Sequence, residues 1–378
     1  MKFIVKKDDL LRTLNHVQSV VERRNAVPIL ANVKIDADKD TGMLTLTTTD
    51  MDIAIHDKLA AQVKQAGSIT VPAHTLFEII RKVSENVDVE LTKDKKDNSN
   101  VELKVGSSDF TLPCLPVEEF PNFEVSQSTH SFNIHSEVLR TLFSKTKHAI
   151  STEETRYYLN GVYLHPTTDE GTPVLRAVAT DGHRLARAQT IQPEGCQDMP
   201  GIIVPKKTVG ELVKLLEEYV GEVQISLSQN KITYILGAIT LSSKLIDGKF
   251  PDYDRVIPKN NDKTLEISRD KLARSIDLVI SITNDKTRAV RLNIEPNKVV
   301  VNASSEMNGN AKGAQEIDAN YSSNENISIG FNSRYVLDSL SAIEGDTVKL
   351  SLSNGLGAVI AQDSKENNCM YILMPMQV

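Results

Sequence analysis

FIVKKDDLLRTLNHVQSVV at residues 3–21 returns twice in altered form, as FNIHSEVLRTLFSKTKHAI at 132–150 and LEISRDKLARSIDLVISIT at 265–283. Each copy reads as a short strand, a polar turn and an amphipathic helix. Leu10, Leu14, Val17 and Val21 step by four, three and four, which aligns them on one helical face. Leu272, Ile276 and Val279 repeat that pattern, and Leu139, Leu142 and Phe143 follow it more loosely. Outward from these helices the order is kept. A strand follows each: NVKI through Ile35, GVYL through Leu164 and VRLNI through Ile294. Thirty residues separate Phe3 from Val33 and Phe132 from Val162, and 25 separate Leu265 from Val290. A second helix comes next: TLFEIIRKV beyond Pro72, TVGELVKLLEE beyond Pro205 and SRYVLDSLSAI beyond Phe331. Hairpins then close each copy: VDVELT with VELKVG, VQISLS with KITYIL, and VKLSLS with GAVIAQ. The copies end on EEFPNF, GKFPDY and YILMPM.

Self-similarity in order and spacing is the mark of repeated structural units. The expected fold class is α+β: three tandem copies of one two-helix, antiparallel-sheet domain. The polar VSQSTH and the turn-rich PDYDRVIPKNND set boundaries, giving an N-terminal domain at 1–127, a central one at 128–253 and a C-terminal one at 254–378. The charged KDKKDNSN at 93–100 reads as a solvated hairpin tip.

Composition is that of a globular chain: 378 residues, 40% apolar, 25% charged. The net charge of −7 opposes nucleic-acid binding by the whole surface, since phosphate contacts need clustered Lys and Arg. Cys114, Cys196 and Cys369 are odd in number and far apart, which fits neither a disulfide framework nor a zinc site and suits a reducing cytoplasm. MKFIVKKDDLL has too short an apolar run for a signal peptide, and no run reaches the roughly 20 residues of a membrane span. The expected location is cytoplasmic, with no membrane partner.

Catalytic signatures are missing: no GxxxxGK[ST] loop, no GxSxG elbow, no HExxH helix. Gly355 and Gly357 form a GxG that reads as a tight strand segment, its third glycine absent. Asp50 and Asp52 could bind a cation, but the repeat sets Thr49-Asp50 against Thr180-Asp181, and a recurring Thr-Asp pair reads as a turn held by side-chain to backbone bonds. Asp181 and His183 could form an acid–base pair, yet no nucleophile or metal-ligand set accompanies them. No metal, cofactor or catalytic residue is expected.

RYYLNGV from Arg156, ATDGHRLA from Ala179, KLIDGKFPDYDRVIP from Lys244 and the MPM at 374–376 closely resemble the bacterial DNA polymerase III beta subunit, the β sliding clamp. VPIL at Val27, TVPA at Thr70, IVPKK at Ile203 and FPNF at Phe120 match the same family, and the resemblance runs the length of the chain. It implies a non-catalytic processivity factor of the replicative polymerase. The implied form is a head-to-tail homodimer whose six domains make a ring around duplex DNA, without regard to sequence. It also implies a peptide-binding pocket between domains 2 and 3, serving DNA polymerase III and other polymerases, the clamp loader and repair proteins. The matching pocket positions are Leu159, Thr180, Gly182, His183, Arg184, Leu185, Pro251, Arg255, Val256, Tyr321, Leu356, Ala358, Ile372, Met374, Pro375 and Met376. Those matching DNA-facing residues are Arg24, Arg81, Tyr157, Tyr158, Lys206 and Lys207, and those matching the dimer interface are Phe110, Leu112 and Ile282. Gln377, Glu153-Glu154 and His74-Thr75 depart from the family pattern.

The charges that bear on DNA lie on the six helical stretches 7–24, 73–85, 136–150, 206–218, 268–282 and 333–344. They sum to +3, leaving −10 for the remainder. A basic lining inside an acidic exterior fits a ring that admits DNA. The competing expectation is a repeat-built peptide-binding scaffold that never encircles DNA.

Overall fold

The computed structural model describes residues 1–22, 26–93, 99–123, 127–283, 288–305 and 311–377. In the first copy the order is β1 (Lys2–Lys6), α1 (Lys7–Gln18), β2 (Asn32–Asp38), β3 (Met43–Thr49), β4 (Ile53–Ala60), β5 (Gln62–Gln65), β6 (Gly67–Pro72), α2 (Ala73–Lys82), β7 (Asp88–Thr92), β8 (Asn100–Val105) and β9 (Ser108–Pro113). The second has β10 (His130–His135), α3 (Ser136–Ser144), β11 (Gly161–Asp169), β12 (Thr172–Thr180), β13 (Arg184–Ile191), β14 (Ile202–Pro205), α4 (Lys206–Glu218), β15 (Glu222–Leu227), β16 (Lys231–Leu236) and β17 (Ile239–Lys244). The third has β18 (Lys263–Ser268), α5 (Arg269–Ile280), β19 (Ala289–Glu295), β20 (Lys298–Ser305), β21 (Ala311–Tyr321), β22 (Ile327–Asn332), α6 (Ser333–Ala342), β23 (Thr347–Leu352), β24 (Val359–Asp363) and β25 (Cys369–Leu373).

The periodic residues that announced the helices are the ones they bury. Leu10, Leu14 and Val17 of α1 are 1% exposed or less, as are Leu139, Leu142 and Phe143 of α3. Burial of this kind stabilises by roughly 1.5–3 kcal/mol per large aliphatic side chain. Apart from α4, the helices are shorter than their stretches suggest. α1 stops at Gln18 because the chain tightens there into turns, Val20 N–H donating to Val17 and Val21 N–H to Gln18. Over the observed lengths the six helices carry a net +2, because the charges that fall beyond α1, α2, α3 and α6 include both signs.

Two compact units form. One holds Met1–Glu137 with Gly210–Leu245, the other Val138–Val209 with Ile246–Val378. In the first, a five-stranded sheet runs β5-β1-β7-β8-β9 and an eight-stranded sheet runs β10-β15-β16-β17-β4-β3-β2-β6. In the second, one twelve-stranded sheet runs β14-β11-β12-β13-β25-β24-β23-β18-β21-β20-β19-β22. Sheets thus continue from one copy into the next: β17 pairs with β4, and β25 with β13, both antiparallel.

The Gly355–Gly357 pair sits in the bend between β23 and β24 and not in a strand. Asn354 makes it a turn, its side-chain oxygen accepting the N–H groups of Leu356 and Gly357. Most of the charged tract at 93–100 lies outside the described residues. Among the described residues no helix is long and apolar enough to cross a membrane.

Candidate functional site

The ATDGHRLA motif forms the turn between β12 and β13, and its polar groups are consumed in shaping it. Asp181 Oδ1 accepts the N–H groups of His183 and Arg184, and Thr180 Oγ1 donates to the Arg184 carbonyl. The first copy repeats the device: Asp50 Oδ1 accepts from Asp52 and Ile53, and Thr49 Oγ1 donates to the Ile53 carbonyl. The paired Thr-Asp is therefore a turn element in both places. Gly182 is needed at its tip, with φ at +88°. A Cβ there would lie 2.6 Å from Nη1 of Arg156.

Arg184 ties this turn to its surroundings. Its guanidinium donates to Asp181 at 3.1 Å, to Asp338 at 2.6 Å and to the His148 carbonyl, and lies 4.3 Å over the Tyr335 ring. Burial, with Arg184 beside it, holds the His148 imidazole down to about 4.

Strand pairing builds the apolar groove next to the turn. Leu185 opposes Ile372 across β13 and β25, and Met374 N–H donates to the His183 carbonyl, carrying the terminal residues along the turn. Beneath lies a core of Leu159, Val178, Leu185, Ile203, Phe250, Tyr253 and Ile372, against which Tyr158 and Ala358 pack. The groove encloses ≈ 230 Å³. Nine of the sixteen expected positions line it: Leu159, Thr180, Gly182, Arg184, Leu185, Pro251, Val256, Ile372 and Met374. Val256, at 43% exposed, is a large apolar side chain left uncovered on its rim.

The remaining positions go elsewhere. His183 faces a neighbouring cleft of ≈ 920 Å³, and its ring lies 6.3 Å from that of Tyr335. Leu356, Pro375 and Met376 line a third cavity beside Arg291, where Met376 N–H donates to the Gly330 carbonyl. Arg255 stands exposed outside the groove, paired with Asp252 at 2.7 Å. Tyr321 is 8% exposed on β21, opposite Leu265, and has no place in the groove because the β18 pairing turns it into the core. Sequence reasoning missed Arg156, Tyr158, Asp252 and Tyr253, which do line the groove. All four fall inside the quoted RYYLNGV and KFPDYDRVIP motifs, and that was the available signal.

The larger cleft is basic. Lys147, Arg156, Arg184, Lys206, Arg288 and Arg334 line it against Glu153, Asp181 and Asp338. Glu153 offsets Arg156, accepting from its Nε at 2.7 Å. Of the expected DNA-facing residues, Lys206 lines this cleft, Lys207 follows it on α4, and Tyr157 is 54% exposed. Tyr158 instead packs into the groove, Arg81 pairs with Glu78 at 2.8 Å, and Arg24 lies outside the described residues. Among the described residues no cluster of His, Cys, Asp and Glu could hold a metal ion.

Three family models match in sequence order: the DNA polymerase III beta subunit N-terminal domain at residues 1–124, its central domain at 133–252 and its C-terminal domain at 254–377. The Beta sliding clamp of Caulobacter vibrioides is 41% identical over 378 residues, and that of Escherichia coli 34% over 382, each comparison covering all of both chains. Among solved structures, a DnaN sliding clamp from Bartonella birtlesii bound to griselimycin matches with a TM-score of 0.95 at 41% identity, covering all of both chains. The C. crescentus beta sliding clamp with PEG bound to a putative beta-motif tethering region matches at 0.94 and 39%, covering 100% of this chain and 99% of that one. The chain belongs to the DNA polymerase III beta subunit family, the bacterial sliding clamps that act as processivity factors.

Proposed function

We propose that two copies of this chain close head to tail into a ring around duplex DNA. The groove at Leu159, Leu185, Ile372 and Met374 then tethers polymerases, clamp loader and repair proteins by short peptides. The observation that carries the ring is a junction made twice within the chain and left open a third time. Stepping across the rungs from Phe3, Phe132 and Leu265 leads to Phe110 on β9, Leu241 on β17 and Tyr371 on β25 as equivalent residues. Stepping from Val71, Val204 and Phe331, each two residues before a second helix, makes Ile55 on β4, Ala186 on β13 and Gly313 on β21 equivalent. Leu241 opposes Ile55, and Tyr371 opposes Ala186, all four being 1% exposed or less.

Phe110 and Gly313 lack that cover. Among the described residues β9 is an edge strand, and β21 pairs over 311–318 with β20 alone. Such edges invite pairing with another chain. The repeat supplies the register: Phe110 opposite Gly313 of a second copy, where the missing side chain leaves room for the aromatic ring. Ile282 borders that space, its Cδ1 lying 3.3 Å from a Cβ built on Gly313. Leu112 already packs inward at 5% exposed and backs the edge. Closure by rotation removes both edges at once.

The terminal groove suits a partner peptide with one or two apolar anchors, since uncovered apolar lining with few polar groups is the ordinary chemistry of such sites. The basic cleft at Lys147, Lys206, Arg288 and Arg334 offers phosphate contacts without base readout, which is the weak attachment that sliding requires. Sedimentation of the intact chain tests the ring: the expected mass is twice 41.8 kDa, and Ile282→Arg is expected to yield a folded monomer by burying an unpaired charge. An Ile282→Arg variant that remains dimeric at micromolar concentration would refute this interface.

A further inference from the structure

The helices beside each junction carry a second pattern. Leu10, Leu139 and Leu272 are equivalent buried positions, and six residues further on stand His16, Lys145 and Leu278. At the closed junctions this position holds a cation-forming side chain bonded to the C-terminal end of the next copy's second helix or to a residue just past it. His16 Nε2 lies 3.1 Å from Glu218 Oε2, with Nδ1 2.7 Å from Asp57 Oδ2. Lys145 Nζ donates to Glu344 at 2.5 Å and to the Ala342 carbonyl at 2.6 Å. Three residues beyond His16, Ser19 donates to Glu211. Leu278 has no such setting: it is 59% exposed.

The face that would receive it differs in the same sense. Counting from Pro72, Pro205 and Asn332, Ile79 corresponds to Leu212 and Ser339, and Val83 to Leu216 and Ile343. Those four counterparts are 3% exposed or less, whereas Ile79 and Val83 are only half-buried. With Lys82 and Phe110 they line an open groove of ≈ 550 Å³. Glu78 there corresponds to Glu211, and Glu85 to Glu218.

We propose that Leu278 seats in this α2 groove of a second copy while Ser281 donates to Glu78 beside it, and that this one helix position gives each junction its identity. A charged clasp seals the two junctions inside a chain; an apolar plug seals the one between chains. The inference rests on the ring reading and names the helix contact that would accompany the β9–β21 pairing. Closing a wrong pair would set Leu278 against Glu218 or Glu344, which desolvates a carboxylate without a partner.

Dimer dissociation constants from sedimentation at moderate salt decide it, with far-UV circular dichroism checking the fold. Leu278 is solvent-exposed in the monomer, so its variants are expected to fold. Leu278→Glu is expected to weaken the dimer at least tenfold, because it meets Glu78 and Glu85. Leu278→Lys is expected to lose less and to become salt-sensitive, since Glu85 stands where Glu218 holds His16. Parent-like dimers for Leu278→Glu, or equal losses for the two variants, would overturn the proposal. Phe110→Asp keeps that failure separate from failure of the ring. A Phe110→Asp monomer beside a parent-like Leu278→Glu dimer leaves the ring standing and removes the helix contact. A Phe110→Asp variant that dimerises normally removes both.

Discussion

At the residue scale the groove depends on side chains whose roles were legible to different degrees. Met374 and Ile372 were marked by the terminal motif, and the pairing of Leu185 with Ile372 makes them one wall. Removing residues 374–378 should therefore weaken polymerase-derived peptides at least about tenfold, for which ~1.4 kcal/mol suffices. Met374→Ala should give a smaller loss, and calorimetric titration reads both. Unchanged affinity in a truncated protein that is still folded and dimeric would mean the groove is not the peptide site. Tyr321 shows the opposite outcome. A matched position cannot report which way a side chain faces, and strand register with β18 decided it. Arg184 shows a third: the resemblance placed it in the pocket, and it is there 8% exposed and bonded to Asp181, Asp338 and the His148 carbonyl. Arg184→Ala would strand those acceptors, at a cost of about 3 kcal/mol. A urea midpoint no lower than the parent's would contradict that role.

Among elements, existence and order were readable and lengths were not. Period 3.6 located the first helix of each copy and repeat order the second, but α1 ends at Gln18 because turn hydrogen bonds outcompete helix there, and no sequence pattern marked it. Which strands join across copies was invisible too, since Thr240–Ser243 and Ile53–His56 carry nothing that names each other as partners. His16, in the last turn of α1, and His148, in the turn Lys147–Ala149 that follows α3, have opposite pH responses. Burial lowers His16, but hydrogen bonds to Asp57 and Glu218 outweigh it and raise the imidazole above its ordinary value. Its contribution is complete below about 6.5 and is lost as pH rises through the raised value. His148 is held near 4 by burial, so stability falls as pH drops from about 6.5 toward 4, where only the unfolded chain takes the proton. Proton NMR of the imidazole rings should find His148 still neutral at pH 5 and His16 titrating above 6.5. A His148 midpoint near 6.5, or a His16 midpoint below it, would contradict these environments.

For the whole molecule, the threefold repeat at 3–21, 132–150 and 265–283 was the informative sequence feature, and the sheets give it a mechanical meaning. Each copy supplies one strand edge forward and one back; two joins are made within the chain, and β9 with the first part of β21 remain for another. Net charge pointed away from DNA at −7, while six cations of the second unit line one cleft, a local concentration that composition averages away. A ring holds DNA by enclosure, and enclosure, unlike phosphate contact, is indifferent to salt. The direct test loads the protein onto closed circular DNA, raises the salt beyond what phosphate contacts survive, and then cuts the circle. Retention on the circle followed by release after cutting is the predicted result. Equal loss from circular and linear DNA as salt rises would contradict encirclement and leave a conventional DNA binder.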